Sequence, residues 1–172
     1  MYTGYELLWL FFSASFLGWV LETASAALSR RKFTNRGIVN APFCIIYGVA
    51  LTVITVFCQE LQGFWLFAEC MILATVIEWV AGHMIERMYH ERWWDYSNDI
   101  GNINGRISIA YSVAWGVIGL VFNEKIHPFI ESKLDKAKNK MSYEDQKIIV
   151  LILPIAILTD FILSSVKYLT RL

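Results

Sequence analysis

Five stretches of this chain stay apolar for about the length of a membrane span. Residues 5–28 carry only Glu6 and Glu22 as charges, and 42–58 carry none. Residues 63–82 carry only Glu69 and Glu78, 107–122 carry none, and 148–166 carry only Asp160. A helix needs about 20 mostly apolar residues to cross about 30 Å of hydrocarbon. Open strands cannot cross it, because their backbone groups would go unsatisfied. The pattern therefore predicts an all-α fold, a polytopic transmembrane helix bundle of about five spans plus one amphipathic interfacial helix. The spans are expected near 5–28, 42–61, 63–88, 106–123 and 146–168, within a single integral membrane domain over 1–172. Two of the apolar cores are short and must borrow residues from their flanks. The first span is expected to be retained rather than cleaved as a signal, since no Lys or Arg precedes it and its apolar run is long.

The segment after the fourth span has a different period. Ile126, Phe129, Ile130, Leu134, Ala137 and Met141 recur at helical spacing, while Lys133, Lys136 and Lys140 take the other face. That pattern predicts an amphipathic helix near 128–140, lying on the bilayer surface or packed on the bundle as a solvated connector. Ser142 with Asp145 three residues on resembles a capping box opening the last span. No internal repeat or low-complexity segment stands out.

Composition agrees with the pattern. The chain is 56% hydrophobic and 17% charged, against about 25% charged in soluble domains. Fifteen Lys+Arg balance fifteen Asp+Glu, so no bulk basic charge would recruit nucleic acid. Five spans would place Arg30, Arg31, Lys32, Arg36, Arg87, Arg92, Arg106, Lys167 and Arg171 on one side and six lysines on the other. The positive-inside rule then puts the first loop and the C-terminus in the cytoplasm and the N-terminus outside. Cys44, Cys58 and Cys70 form neither a C-x-x-C pair nor a zinc spacing, so free apolar thiols are expected. A Cys58–Cys70 bridge across the second turn is the alternative.

Candidate chemistry lies in the ionisable groups inside the spans, which usually face the protein interior or a wet cavity. In the first span Ser15, Gly18, Glu22 and Ser25 make one small, polar stripe, suited to a packing seam or to a cavity lining. In the third, Glu78, Gly82 and Glu86 share a face. His83, Glu86 and His90 also share one, but two imidazoles without further ligands do not make a metal site, and neither metal nor cofactor is expected. Two loops placed on one side by topology carry Asn35 and Arg36 with Gly37, and then Trp93, Trp94 and Asp95 followed by Asn104, Gly105 and Arg106. Arg36 and Arg106 could pair with Glu22, Glu78, Glu86 or Asp95, or clamp an anion.

These residues resemble a known family. The stretches SFLGWVLE (15–22), TNRGIVNAPFCIIYG (34–48), Glu78 with Glu86, and WWDYSNDIGNINGRISIAYSVAWG (93–116) are similar to the CmpB-like family labelled putative ABC-transporter type IV, small bacterial multi-span membrane proteins. They cover the first two-thirds of the chain. Where the family usually reads Gly-Pro-x-Cys-Pro-Ile-Tyr-Gly, this chain has Ala41-Pro42-Phe43-Cys44-Ile45-Ile46-Tyr47-Gly48. The resemblance implies a permease-like role in a bacterial cytoplasmic membrane. The chain has no Gly-x-x-x-x-Gly-Lys-Ser/Thr phosphate loop, so a separate ATPase subunit and a homo-oligomer would be its expected partners beside the lipid bilayer. A membrane-embedded enzyme acting on a lipid or anionic substrate, and a structural or assembly subunit, are the other classes. A cavity lined by Glu22, Arg36 and Arg106 would favour transport or catalysis, and full pairing without a cavity would favour a structural role.

Overall fold

A computed structural model describes residues 2–33, 35 and 37–170. All of its regular structure is helical: α1 (Gly4–Arg30), α2 (Ile45–Phe57), α3 (Gly63–Tyr89), α4 (Ile109–Val121), a π-helical turn (Phe122–Ile126), α5 (His127–Lys138) and α6 (Tyr143–Leu169). Among the described residues there is no strand, only one bridge between Ile103 and Ile107. The five expected apolar segments are all helical, and four helices are long and apolar enough to cross a membrane: Gly4–Ser29, Gly63–Tyr89, Ile109–Lys138 and Tyr143–Leu169. The second, α2, has 13 residues, about 20 Å at 1.5 Å per residue.

Local chemistry explains the ends. A capping box opens α1: Thr3 Oγ1 accepts from the Glu6 amide at 3.3 Å, and Glu6 Oε2 accepts from the Thr3 amide at 2.9 Å. Arg31 (φ 52) and His90 (φ 54) close α1 and α3 in the left-handed conformation. The expected Ser142–Asp145 box opens α6, with the Asp145 amide 3.1 Å from Ser142 Oγ. α2 does not start at Pro42, the first residue of the expected span, but at Ile45. The backbone there is diverted instead, with the Cys44 amide donating to Ser15 O at 2.9 Å and the Phe43 amide to Ala41 O at 2.8 Å.

The lysine-rich helix also differs from expectation in how it begins. It continues α4 through the π turn, making one helix from Ile109 to Lys138. Pro128 lacks an N–H and its ring crowds the carbonyl four residues back, which would break a regular α-helix. The wider π turn just before it lets the chain pass without a break.

The chain divides into two compact units, 1–52 with 129–172, and 53–128. In the first, Gly18 and Gly48 are the close-approach points between α1 and α2. A Cβ on Gly18 would strike the Tyr47 ring, and one on Gly48 would strike Ser15 Oγ and the Phe11 ring. In the second, α3 and α4 pack along Leu66, Cys70, Ala74 and Glu78, a buried stripe with one residue per turn. Gly116 and Gly119 of α4 fit against Phe67 and Cys70. The three cysteines are free and buried.

Candidate functional site

In the second unit, residues 90–108 close the ends of α3 and α4. The His90 amide bonds Glu86 O at 2.9 Å and ends α3, after which Trp93 stacks on Tyr89 (5.3 Å, 26°). Asn104 (φ 53) and Gly105 (φ 68) are the two central residues of a turn closed by the Arg106 amide on Ile103 O at 3.1 Å, the left-handed pair for which Asn-Gly is the favoured sequence. The rest of the loop is tied to this turn. The Tyr96 amide donates to Gly105 O at 2.8 Å and Trp94 Nε1 to Arg106 O at 2.8 Å. Asn102 accepts from the Gly105 amide at 3.2 Å and donates to Asp99 O at 2.9 Å.

The fold-back brings the charges together. Arg106 forms an ion pair with Glu86, and Arg92 Nε donates to the other Glu86 oxygen at 3.2 Å. Arg92 also lies 3.8 Å from Asp95. Gly82 makes room beneath them, since a Cβ there would lie 3.3 Å from Trp94 and 3.4 Å from Arg106. Glu86, Arg92, Arg106, Trp93, Trp94, Gly82 and Ile85 line one small, open pocket. Asp95 accepts from the Ser97 hydroxyl at 2.5 Å and the Ser97 amide at 2.9 Å. The Ser97 hydroxyl first, then its amide, holds the Asp95 carboxyl below the usual carboxylate range. Two turns further into α3, Glu78 is buried and accepts from Tyr96 Oη at 3.0 Å. Tyr96 is held by stacking on Tyr111 (4.1 Å, 19°). Ion pairs as exposed as Glu86–Arg92 add little to stability, so this network fixes loop geometry more than it stabilises the fold.

The first unit has its own polar cluster. Glu22 accepts from Tyr47 Oη at 2.9 Å. Trp19 Nε1 donates to Asn35 Oδ1 at 2.7 Å, and Asn35 in turn binds Val39 O and the Gly37 amide. Asp160 of α6 gathers the far end of the same loop. Its carboxylate accepts from Asn40 Nδ2 at 2.8 Å, the Ala41 amide at 2.9 Å and Ser164 Oγ at 3.2 Å.

Of the residues singled out by sequence, Glu78, Glu86, Asp95, Asn104 and Arg106 come together at the loop end of the second unit. Glu22 and Asn35 belong to the first, and Arg36 lies outside the described residues. Asn104 is the first central residue of the turn. Arg92 and Asp160 are among the participants not singled out. Arg92 joins Glu86 to Asp95, and Asp160 clasps the first loop. The signal for Asp160 was its standing as the single charge of the last span. His83 Nδ1 lies 2.9 Å from Trp79 O, and no metal-holding cluster occurs among the described residues.

The family described as putative ABC-transporter type IV matches residues 9–165. The chain belongs to this family. No curated protein and no solved structure matches it. The match runs past the two-thirds of the chain in which sequence motifs are recognisable, taking in α5 and most of α6 with Asp160. As a member of the putative ABC-transporter type IV family with four bilayer-length helices, the chain is a transport-related membrane protein.

Proposed function

We propose that the chain is a permease-like subunit in the bacterial cytoplasmic membrane, with its N-terminus outside and its C-terminus in the cytoplasm. Loops 31–44 and 90–108 then form its cytoplasmic polar face. Family membership together with four bilayer-length helices carries this reading. The exposed Arg31 and Lys32 after α1 support the orientation. The sequence lacks a phosphate loop, so nucleotide hydrolysis falls to a separate ATPase subunit docking on that face. A homo-oligomer completes the translocation path, because five helices are few for a full pathway.

A second reading is favoured by one observation: Glu22, Glu78, Glu86, Asp95 and Arg106 all engage protein groups, and the pocket that Glu86 and Arg106 border is small. On that reading the chain is a structural or assembly subunit, and these bonds lock its helices. Arg106→Ala and Asp95→Asn separate the two. A permease role predicts normal membrane abundance with loss of complementation in a deletion strain. Loss of abundance in parallel with function refutes the site and leaves the structural role.

A further inference from the structure

The sequence shows no repeat at first reading, yet the helix packing exposes one. Trp-Leu-Phe at 9–11 recurs at 65–67, and Leu17, Val20 and Glu22 recur as Leu73, Val76 and Glu78, always 56 positions on. Three of the buried positions follow the same offset. Leu10, Ala14 and Gly18 are buried on α1, and Leu66, Cys70 and Ala74 are buried on α3. Each stripe leads one turn later to the shared glutamate.

The partner helices match as well. α2 has 13 residues, and α4 has 13 before it runs on through the π turn. Tyr47-Gly48 of α2 and Trp115-Gly116 of α4 are buried aromatic–glycine pairs. A Cβ on Gly48 would lie 2.7 and 2.8 Å from Phe11 Cε2 and Cδ2, and one on Gly116 would lie 2.6 and 2.9 Å from the same atoms of Phe67. Phe11 and Phe67 are themselves one of the matched pairs. A shared hydropathy pattern alone would not set the same phenylalanine ring against the same glycine.

The two copies differ where the connecting loop differs. From Glu22 to Tyr47 is 25 positions, and from Glu78 to Trp115 is 37. In the first copy Tyr47, on the helix itself, donates to Glu22. In the second, that position is Trp115, which has no hydroxyl, and Tyr96 from the longer loop donates to Glu78 instead. The bond to the carboxylate is kept although its donor comes from elsewhere in the chain.

We propose that α1–α2 and α3–α4 are two copies of one helix hairpin, with Glu22–Tyr47 and Glu78–Tyr96 as equivalent tyrosine-held carboxylate sites. Same-direction repeats are a known way of building transporters. The short turn over residues 58–62 joins the copies, so by connectivity both loops, 31–44 and 90–108, emerge on one side of the membrane. This makes α2 a true crossing despite its length, as the counterpart of α4. The inference does not depend on the permease reading.

Single cysteines at Lys32, Ile100 and Glu60, all exposed, test the topology with a membrane-impermeant thiol reagent on intact cells and on inverted vesicles. The native protein, whose three cysteines are buried, is the blank. Lys32→Cys and Ile100→Cys should label from one side and Glu60→Cys from the other. Labelling of Lys32→Cys and Ile100→Cys from opposite sides overturns the duplication. Double-mutant cycles then test the sites: Glu22→Gln with Tyr47→Phe, and Glu78→Gln with Tyr96→Phe, read as melting-temperature shifts of purified protein. Both double variants should lose less than the sum of their single variants. Additivity in one pair with coupling in the other overturns the equivalence of the sites, whatever the transport phenotype.

Discussion

Gly116→Ala tests the α3–α4 contact most directly, because two opposing effects can be separated by background. An added Cβ would lie 2.6, 2.9 and 3.1 Å from three atoms of the Phe67 ring. Carbon contacts prefer about 3.5–4.0 Å, so the ring or the helix must give by up to about 1 Å. Overpacking of this kind costs about 1–3 kcal/mol. Removing a glycine from a helix interior returns up to about 1 kcal/mol of propensity. The net expectation is a loss of about 0–2 kcal/mol, which alone would decide little. In a Phe67→Ala background the collision disappears and only the propensity term is left. Gly116→Ala should then become neutral or stabilising, and the two substitutions should couple by about 1–3 kcal/mol. Unfolding of the purified protein in mixed micelles measures all four corners of the cycle. For a chain of this size each kcal/mol corresponds to about 2–4 °C in Tm. An equal effect of Gly116→Ala in both backgrounds would refute the contact and, with it, the packing match to Gly48 and Phe11.

Other consequences are more local. Gly105→Ala forces a side chain into a left-handed position (φ 68) and within 2.5 Å of Asp95 and Ser97. It should cost about 1–2 kcal/mol for the backbone alone and show as faster protease cleavage in 91–108. Asp160→Ala removes the acceptor for Asn40, Ala41 and Ser164. A loss of about 1–3 kcal/mol follows, with increased cleavage in 31–44, and unchanged cleavage there would contradict the clasp. Asp95 titrates below its unfolded value because Ser97 donates to its ionised form. The order it confers on the loop is therefore complete above about pH 4 and is lost as pH falls further, through the folded pKa. The protection factor of the Ser97 amide should fall only in that acid range, and a fall near neutral pH would contradict the assignment.

The helices were legible because the bilayer imposes a length and a polarity that 5–28, 63–82 and 148–166 obey without help from tertiary contacts. The shortness of α2 was not, since it arises from Asp160 and Ser15 drawing residues 40–44 out of the helix, bonds that join distant parts of the chain. Nor was the fusion of α4 to α5, where Pro128 reads as a start signal unless a π turn precedes it. The repeat escaped notice for a similar reason. Its clearest marks are a glycine against a phenylalanine and a stripe of buried small residues, and those become equivalent only when the packing is known.

The site was legible in its residue types but not in its pairings. Glu78, Gly82 and Glu86 do share a helix face, as their spacing requires, yet the two carboxylates end in different surroundings. The loop 90–108 folds back over the last turns of α3, so its aromatic part reaches Glu78 while its arginines stop at Glu86. Helical spacing puts Glu78 and Glu86 on one face, but only the path of the loop between Tyr96 and Arg106 decides which group meets which carboxylate.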